Sequence, residues 1–219
     1  MTYLEAVNKV LLRLRENEVT TVQGAGNSNQ YARLVGAFIN EAKAQVETAW
    51  NWSALRTTLS ATCEGGVFNY ELNGSQNRFR VIDVINDTSN HFMEYRSSEW
   101  FNDKFLNTTP QTGSPLYYSF NGVSMDGDTL VDIYPVPDDN YQIRFNLVLR
   151  PGDLEADDDS FLVPSRPIIL LATAMAIEER GEDGGQQSVN AYGAARSALA
   201  DEIALDAARH PEELMWYPE

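Results

Sequence analysis

The hydrophobic period of this chain changes twice, which restricts the folds open to it. From Thr2 to Trp52 apolar residues recur at helical spacing, from Ala54 to Arg150 they alternate, and from Pro164 onward helical spacing returns. Alternation puts every second side chain on one face of a strand, whereas a period near 3.6 draws a stripe along a helix. The expected architecture is therefore α+β. Residues 1–53 and 151–210 form a four-helix bundle, and residues 54–150 form an antiparallel β-sandwich or barrel inserted between helices two and three. Residues 211–219 remain as a C-terminal tail.

Leu4, Val7, Leu11 and Leu14 follow Thr2 at helical spacing, and Glu5 completes a capping box, so the first helix is expected from Thr2 to about Asn17. In the loop that follows, Gly24-Ala25-Gly26 lacks the Gly-Lys-Ser/Thr of a phosphate loop and follows no strand. Helix two, from about Ser28, sets Leu34, Phe38, Ala42, Val46 and Trp50 at four-residue intervals, a stripe expected to be buried as far as Trp50. Pro164-Ser165-Arg166-Pro167 opens a helix whose run from Ile168 to Ile177 is apolar on nearly every face and needs a central position. Gly181, Gly184 and Gly185 break the chain. A long alanine-rich helix then runs from Gln186 to about Arg209, with Val189, Tyr192, Leu199, Ile203 and Ala207 inward and Pro211 beyond its end.

Between them, strands are expected at Thr57–Cys63, Val67–Leu72, Phe79–Ile85, Phe92–Arg96, Leu116–Phe120, Thr129–Tyr134 and Tyr141–Leu149. Glu64-Gly65-Gly66 reads as a hairpin between the first two. A short helix capped by Ser98 is expected at Ser98–Phe105.

The chain carries 32 acidic against 16 basic side chains, net −16. That balance disfavours tight nucleic-acid binding, because phosphate contacts need clustered Lys and Arg. The acidity is local: residues 151–219 hold fifteen acidic and four basic side chains, whereas residues 1–53 are balanced. Such a surface serves as a solvated face, a contact for a basic partner, or a wall that repels DNA. The one cysteine, Cys63, excludes an internal disulfide and fits a reducing cytoplasm. His91 and His210 are the only imidazoles, and no serine sits in a Gly-x-Ser-x-Gly element. No catalytic residue, cofactor or metal is expected. Asp126-Gly127-Asp128 and Asp157-Asp158-Asp159 are rich in oxygen but lack the calcium-loop pattern, and Asp126-Gly127 reads as a hairpin turn. The N-terminus has no basic start followed by an apolar run, and no stretch approaches ~18 apolar residues, so neither a signal peptide nor a membrane span is expected.

Leu214, Met215, Trp216 and Tyr217 follow Glu212-Glu213 near the end of this acidic segment. Chain ends are usually polar. Four large apolar residues there are expected either to fold back on their own helices or to dock into another subunit as an aromatic anchor.

Several of these pieces occur together in one family. They are the Leu4–Leu12 helix with its Thr/Val/Gly-rich loop, Trp50-Asn51-Trp52, and the inserted β unit. The fullest stretch runs from Ile133-Tyr134-Pro135-Val136-Pro137-Asp138 through Tyr141–Phe145 to Arg150-Pro151-Gly152-Asp153-Leu154, then Asp157–Asp159 and a buried Ala-rich helix. Over most of its length the chain resembles the head-to-tail adaptors of tailed bacteriophages, also called head-completion, connector or upper tail tubular proteins. The resemblance implies a structural virion protein of the head-tail neck, made in the host cytoplasm, without enzymatic activity. It implies a homo-oligomeric, dodecameric ring that binds the phage portal protein above and a tail or nozzle protein below. Double-stranded DNA would pass through the ring during ejection without specific binding. In such rings the C-terminal segment reaches the portal, which would make Leu214, Met215, Trp216 and Tyr217 a portal-docking interface. The residues leave two alternatives open: another tail-completion or tail-tube protein, and a calcium- or carbohydrate-binding β module resting on the Asp126 and Asp157 loops and on Trp100, Tyr117 and Tyr118.

Overall fold

The two ends of the chain build one unit and its middle builds another: residues 1–55 with the chain from Pro151 onward, and Arg56–Arg150. The computed structural model describes residues 1–23, 29–76, 78–106, 109–181 and 185–209. Among these the chain is α+β, with five α-helices and two four-stranded sheets. The helices are α1 (Tyr3–Arg13), α2 (Gln30–Ala49), α3 (Ser98–Leu106), α4 (Ser165–Arg180) and α5 (Gln186–Arg209).

α1 starts on the capping box. Thr2 Oγ1 accepts from the Glu5 amide at 3.3 Å, and Glu5 Oε2 accepts from the Thr2 amide at 3.0 Å. The Tyr3 and Leu4 amides also donate to the carbonyls of Asp159 (2.8 Å) and Asp157 (3.2 Å), so the acidic loop closes the start of this helix. α1 ends at Arg13, short of the expected Asn17. There Arg15 takes a left-handed φ of 59°, and the Glu16 amide turns back to the Leu11 carbonyl.

In α2 the buried stripe is Ala32, Val35, Gly36, Ile39, Ala42, Lys43, Val46 and Glu47, while Trp50 is 36% exposed. The reason is geometric. α2 ends at Ala49, and Trp50, its C-cap, takes an extended backbone (φ −146°, ψ 161°) that turns it off the helical stripe. Trp52 takes the core position instead, 1% exposed, with Nε1 donating to the Val46 carbonyl at 2.8 Å. Close to the other end, Tyr3 is buried against Gly36, where a Cβ would strike its hydroxyl.

α4 packs on α1, α2 and α5, as its nearly continuous apolar surface requires. Gly181 ends it in the left-handed conformation. α5 buries only Ser188, Ala195 and Ala198 outright, with Tyr192, Leu199, Ile203 and Ala207 half-buried. Val189, expected inward, is 64% exposed. A helix that packs along one line leaves the residue next to Ser188 about 100° off that line.

The β unit holds β1 (Arg56–Cys63), β2 (Asn69–Leu72), β3 (Phe79–Asn86), β4 (His91–Phe92), β5 (Glu94–Tyr95), β6 (Tyr117–Val123), β7 (Thr129–Tyr134) and β8 (Tyr141–Leu149). One sheet runs β1-β8-β3-β4 and the other β2-β7-β6-β5. All neighbours are antiparallel except β5 and β6, which are parallel. Two sequence expectations are corrected here. Glu64-Gly65-Gly66 is no hairpin, because β1 and β2 belong to different sheets. Gly66, at φ 86°, donates to the Pro137 carbonyl and carries the chain from one sheet to the other. The strand expected across Phe92–Arg96 breaks at Met93: its amide bonds to Val84 in the first sheet, and the next amide, of Glu94, bonds to Leu116 beside the second.

Cys63, Val84, Ile143, Phe145 and Leu147 from the first sheet meet Leu72, Tyr118, Val131 and Ile133 from the second in one buried cluster. Burial pushes the Cys63 thiol up to about 12, which leaves it protonated and unreactive at neutral pH. α3 packs on β6, and its cap is Ser97, whose Oγ accepts from the Trp100 amide, in place of the expected Ser98.

Candidate assembly site

The acidic loops do architectural work. Asp128 accepts from the amides of Gly74 (2.8 Å) and Gln76 (2.9 Å), and these bonds hold its carboxyl below the usual range. Asp159 Oδ2 accepts from the Glu155 and Ala156 amides with the same consequence, and Asp157 Oδ1 accepts from the Val22 amide at 2.8 Å. Oxygens occupied by amides are poor candidates for a hard cation, and no group of three ligating side chains gathers among the described residues. The aromatic residues considered for glycan binding do not form an open platform. Tyr118 is buried, and Trp100 packs against Tyr117 and edge-on to Tyr134 with Lys104 over its ring.

Leu214, Met215, Trp216 and Tyr217 lie outside the described residues, as do His210 and Gly24–Ser28. The point from which that tail departs is well defined. Asp206, near the end of α5, accepts from Trp50 Nε1 (3.1 Å), the Ser53 amide (3.1 Å) and Ser53 Oγ (2.6 Å). One carboxylate thus ties α5 to the turn after α2. Beside it opens a cleft of about 350 Å³ lined by Trp52, Leu162, Val163, Ser165, Leu205 and Arg209. No motif in the sequence marks Asp206, because its partners lie some 150 residues earlier. Replacing Asp206 with alanine is expected to cost about 2 kcal/mol, since charge-assisted hydrogen bonds are lost together. Thermal unfolding and faster amide exchange at the end of α5 would show it.

A second cleft, of about 360 Å³, lies between α1 and the start of α4. Lys9 and Arg13, one turn apart on α1, and Arg166 on α4 supply its charge. Met1, Leu12 and Ile169 supply its apolar lining, with Leu12 64% exposed. Ser165 lines both clefts, which flank the beginning of α4. The Lys9–Arg13 spacing is visible in the sequence, but the approach of Arg166 is not. No helix among the described residues is long and apolar enough to cross a membrane.

The helical clefts and the β unit fall within one known pattern: the family model described as SU10 adaptor protein matches residues 1–214. The chain belongs to the SU10 adaptor protein family. This is a family of phage head-to-tail adaptors. Membership in it gives the chain a phage adaptor role, among structural proteins of the virion that contact other phage structural proteins. Structural adaptor families of this kind typically work by binding, without turnover. The SU10 adaptor match ends at Leu214, so Met215, Trp216 and Tyr217 lie beyond it. No curated protein matches the chain.

Proposed function

We propose that this SU10-family adaptor joins the portal to the tail as a dodecameric ring. In this reading residues 1–53 and 151–210 act as a four-helix bundle, and residues 54–150 act as an inserted β-sandwich. The bundles stand side by side in the ring, the C-terminal tail docks on the portal through Leu214, Met215, Trp216 and Tyr217, and a tail or nozzle protein binds below. The observation that carries the proposal is the single family match across both units. Charge supports it: with acids in two-fold excess, a channel wall repels phosphate over the ~8–10 Å reach of a screened charge, so duplex DNA slides without being held. The protein is made in the host cytoplasm and ends in the neck of the virion.

The test is assembly. Mixed with its portal, the purified chain is expected to give a ring-on-ring complex by mass photometry and electron microscopy, with lateral contacts above ~1,000 Å² each. Monomers that persist at all ratios of chain to portal would reject the proposal.

A further inference from the structure

One face of the β1-β8-β3-β4 sheet gathers cations in a chain dominated by acids. Ile143, Phe145 and Leu147 of β8 belong to the buried cluster, so the alternate residues of β8 and their strand partners share the opposite face. On that face Val148 stands between Arg56 of β1 and Arg80 of β3, and Arg144 stands between Ser60 and Ile85. Arg56 and Arg80 are exposed and rise from strands about 9–10 Å apart. Arg144 is ion-paired with Asp87 at 3.0 Å, and the carboxylate of Asp83, on the same face, accepts from Asn146 Nδ2 at 2.6 Å. Beside the arginines the face is apolar: Ile82, at the bulge of β3, is 46% exposed, and Phe92, opposite Ile85, is 70% exposed. Guanidiniums next to Ile and Phe suit a protein surface that offers carboxylates beside apolar groups. A phosphate backbone offers nothing to Ile82 or Phe92.

The chain itself supplies that complement. In its acidic loop Asp153, Glu155 and Asp158 are exposed, and Leu162, four residues on, is 56% exposed. The loop is braced from within, because Asp157 accepts from the Val22 amide and Asp159 from the Glu155 and Ala156 amides. Presenting the three exposed carboxylates therefore takes little further ordering. We infer that this sheet face of one copy receives the Asp153–Asp158 loop of the next copy, with Arg56 and Arg80 against its carboxylates and Ile82 against Leu162. The two surfaces differ, so the contact is head-to-tail, the kind that generates a ring when its rotation closes. Its size sets when it forms. Three strands of eight or nine residues at ~4.8 Å spacing cover about 400 Å², roughly half of the ~800 Å² per partner of a standard interface. Such a contact does not hold free copies together by itself and acts once the portal has brought them side by side.

The inference rests on the proposed ring and names two surfaces that meet within it. The test is a charge swap in full-length protein mixed with purified portal, read as ring completeness by mass photometry and electron microscopy. One variant reverses the face, Arg56→Glu/Arg80→Glu, and the other reverses the loop, Asp153→Lys/Glu155→Lys/Asp158→Lys. All five side chains are exposed, so both variants are expected to melt as wild type does. Each alone is expected to need about tenfold more protein than wild type, or more, to complete the ring, because like charges then meet at every junction. An equimolar mixture of the two is expected to restore assembly near the wild-type concentration, since copies that alternate pair each reversed face or loop with its opposite. Should the reversed face melt early, Arg56→Gln/Arg80→Gln carries the same test with a smaller loss. A face variant that completes the ring as readily as wild type overturns the inference. So does a mixture no better than its parts; if the chain carrying all five substitutions assembles where the mixture fails, the pairing lies within one copy. A wild-type ring that none of these changes disturbs removes this inference alone, whereas a wild-type chain that forms no ring on the portal removes the proposed function and this contact with it.

Discussion

Replacing Glu47 with leucine lowers stability by about 3–5 kcal/mol, the cost of stripping one partner from a buried ion pair. Lys43 Nζ lies 3.0 Å from Glu47 Oε1 on the next turn of α2, and the two side chains are 3% and 2% exposed. The same ammonium donates to the carbonyls of Pro151 (3.2 Å) and Gly152 (2.8 Å), where the chain re-enters the helical unit. Asn40, about one turn before Lys43, grips the next part of that segment through paired bonds with the Leu154 backbone. With leucine at 47 the ammonium stays buried with its carboxylate gone. Lys43→Met alone does comparable damage, because it removes the cation from Glu47 and the donor from two carbonyls. The double variant Lys43→Met/Glu47→Leu recovers only part of the loss, since the Pro151 and Gly152 carbonyls remain without that donor. Urea unfolding of the four proteins checks this, and a double variant as stable as wild type would show that the carbonyl bonds contribute nothing.

That ion pair also shows where sequence reasoning reaches its limit. Lys43 and Glu47 sit at an ordinary surface spacing, and only the passage of Pro151–Gly152 over them makes the site a buried one. Features set by neighbouring residues were readable: the Thr2–Glu5 cap, the apolar run that centres α4, the change of period that bounds the β unit. Features that depend on which partner arrives were not. Alternation marks Phe92–Arg96 as extended but cannot say that Met93 divides it between two sheets. Four-residue spacing marks α2 as amphipathic, yet the helix stops at Ala49, and the extended backbone at Trp50 hands the core position to Trp52. The basic cleft is the same case, because Arg166 reaches Lys9 and Arg13 only through the packing of α4 on α1.

Deleting Leu214–Glu219 is expected to weaken portal attachment by a factor of about 30 to 1,000 while leaving the cooperative unfolding of the chain in place. The magnitude follows from what buried aromatic anchors contribute: about 2–4 kcal/mol in total at an interface hot spot, at about 1.4 kcal/mol per decade of affinity. The fold is expected to survive because the helical unit has a buried core and a tether of its own. Trp52, Ile39, Leu11 and Ile168 are fully buried, and Asp206 bonds the end of α5 to Trp50 and Ser53. Equilibrium binding to purified portal and a parallel thermal melt separate the two effects. If affinity is unchanged, Leu214–Tyr217 do not face the portal. If instead the melt loses its cooperativity, those residues belong to the core of their own chain, and their apolar character serves folding. Trp216→Ala in the full-length chain then distinguishes one dominant anchor from a contact shared along the segment: a single anchor loses most of the affinity at that one substitution, whereas a shared contact loses it in steps.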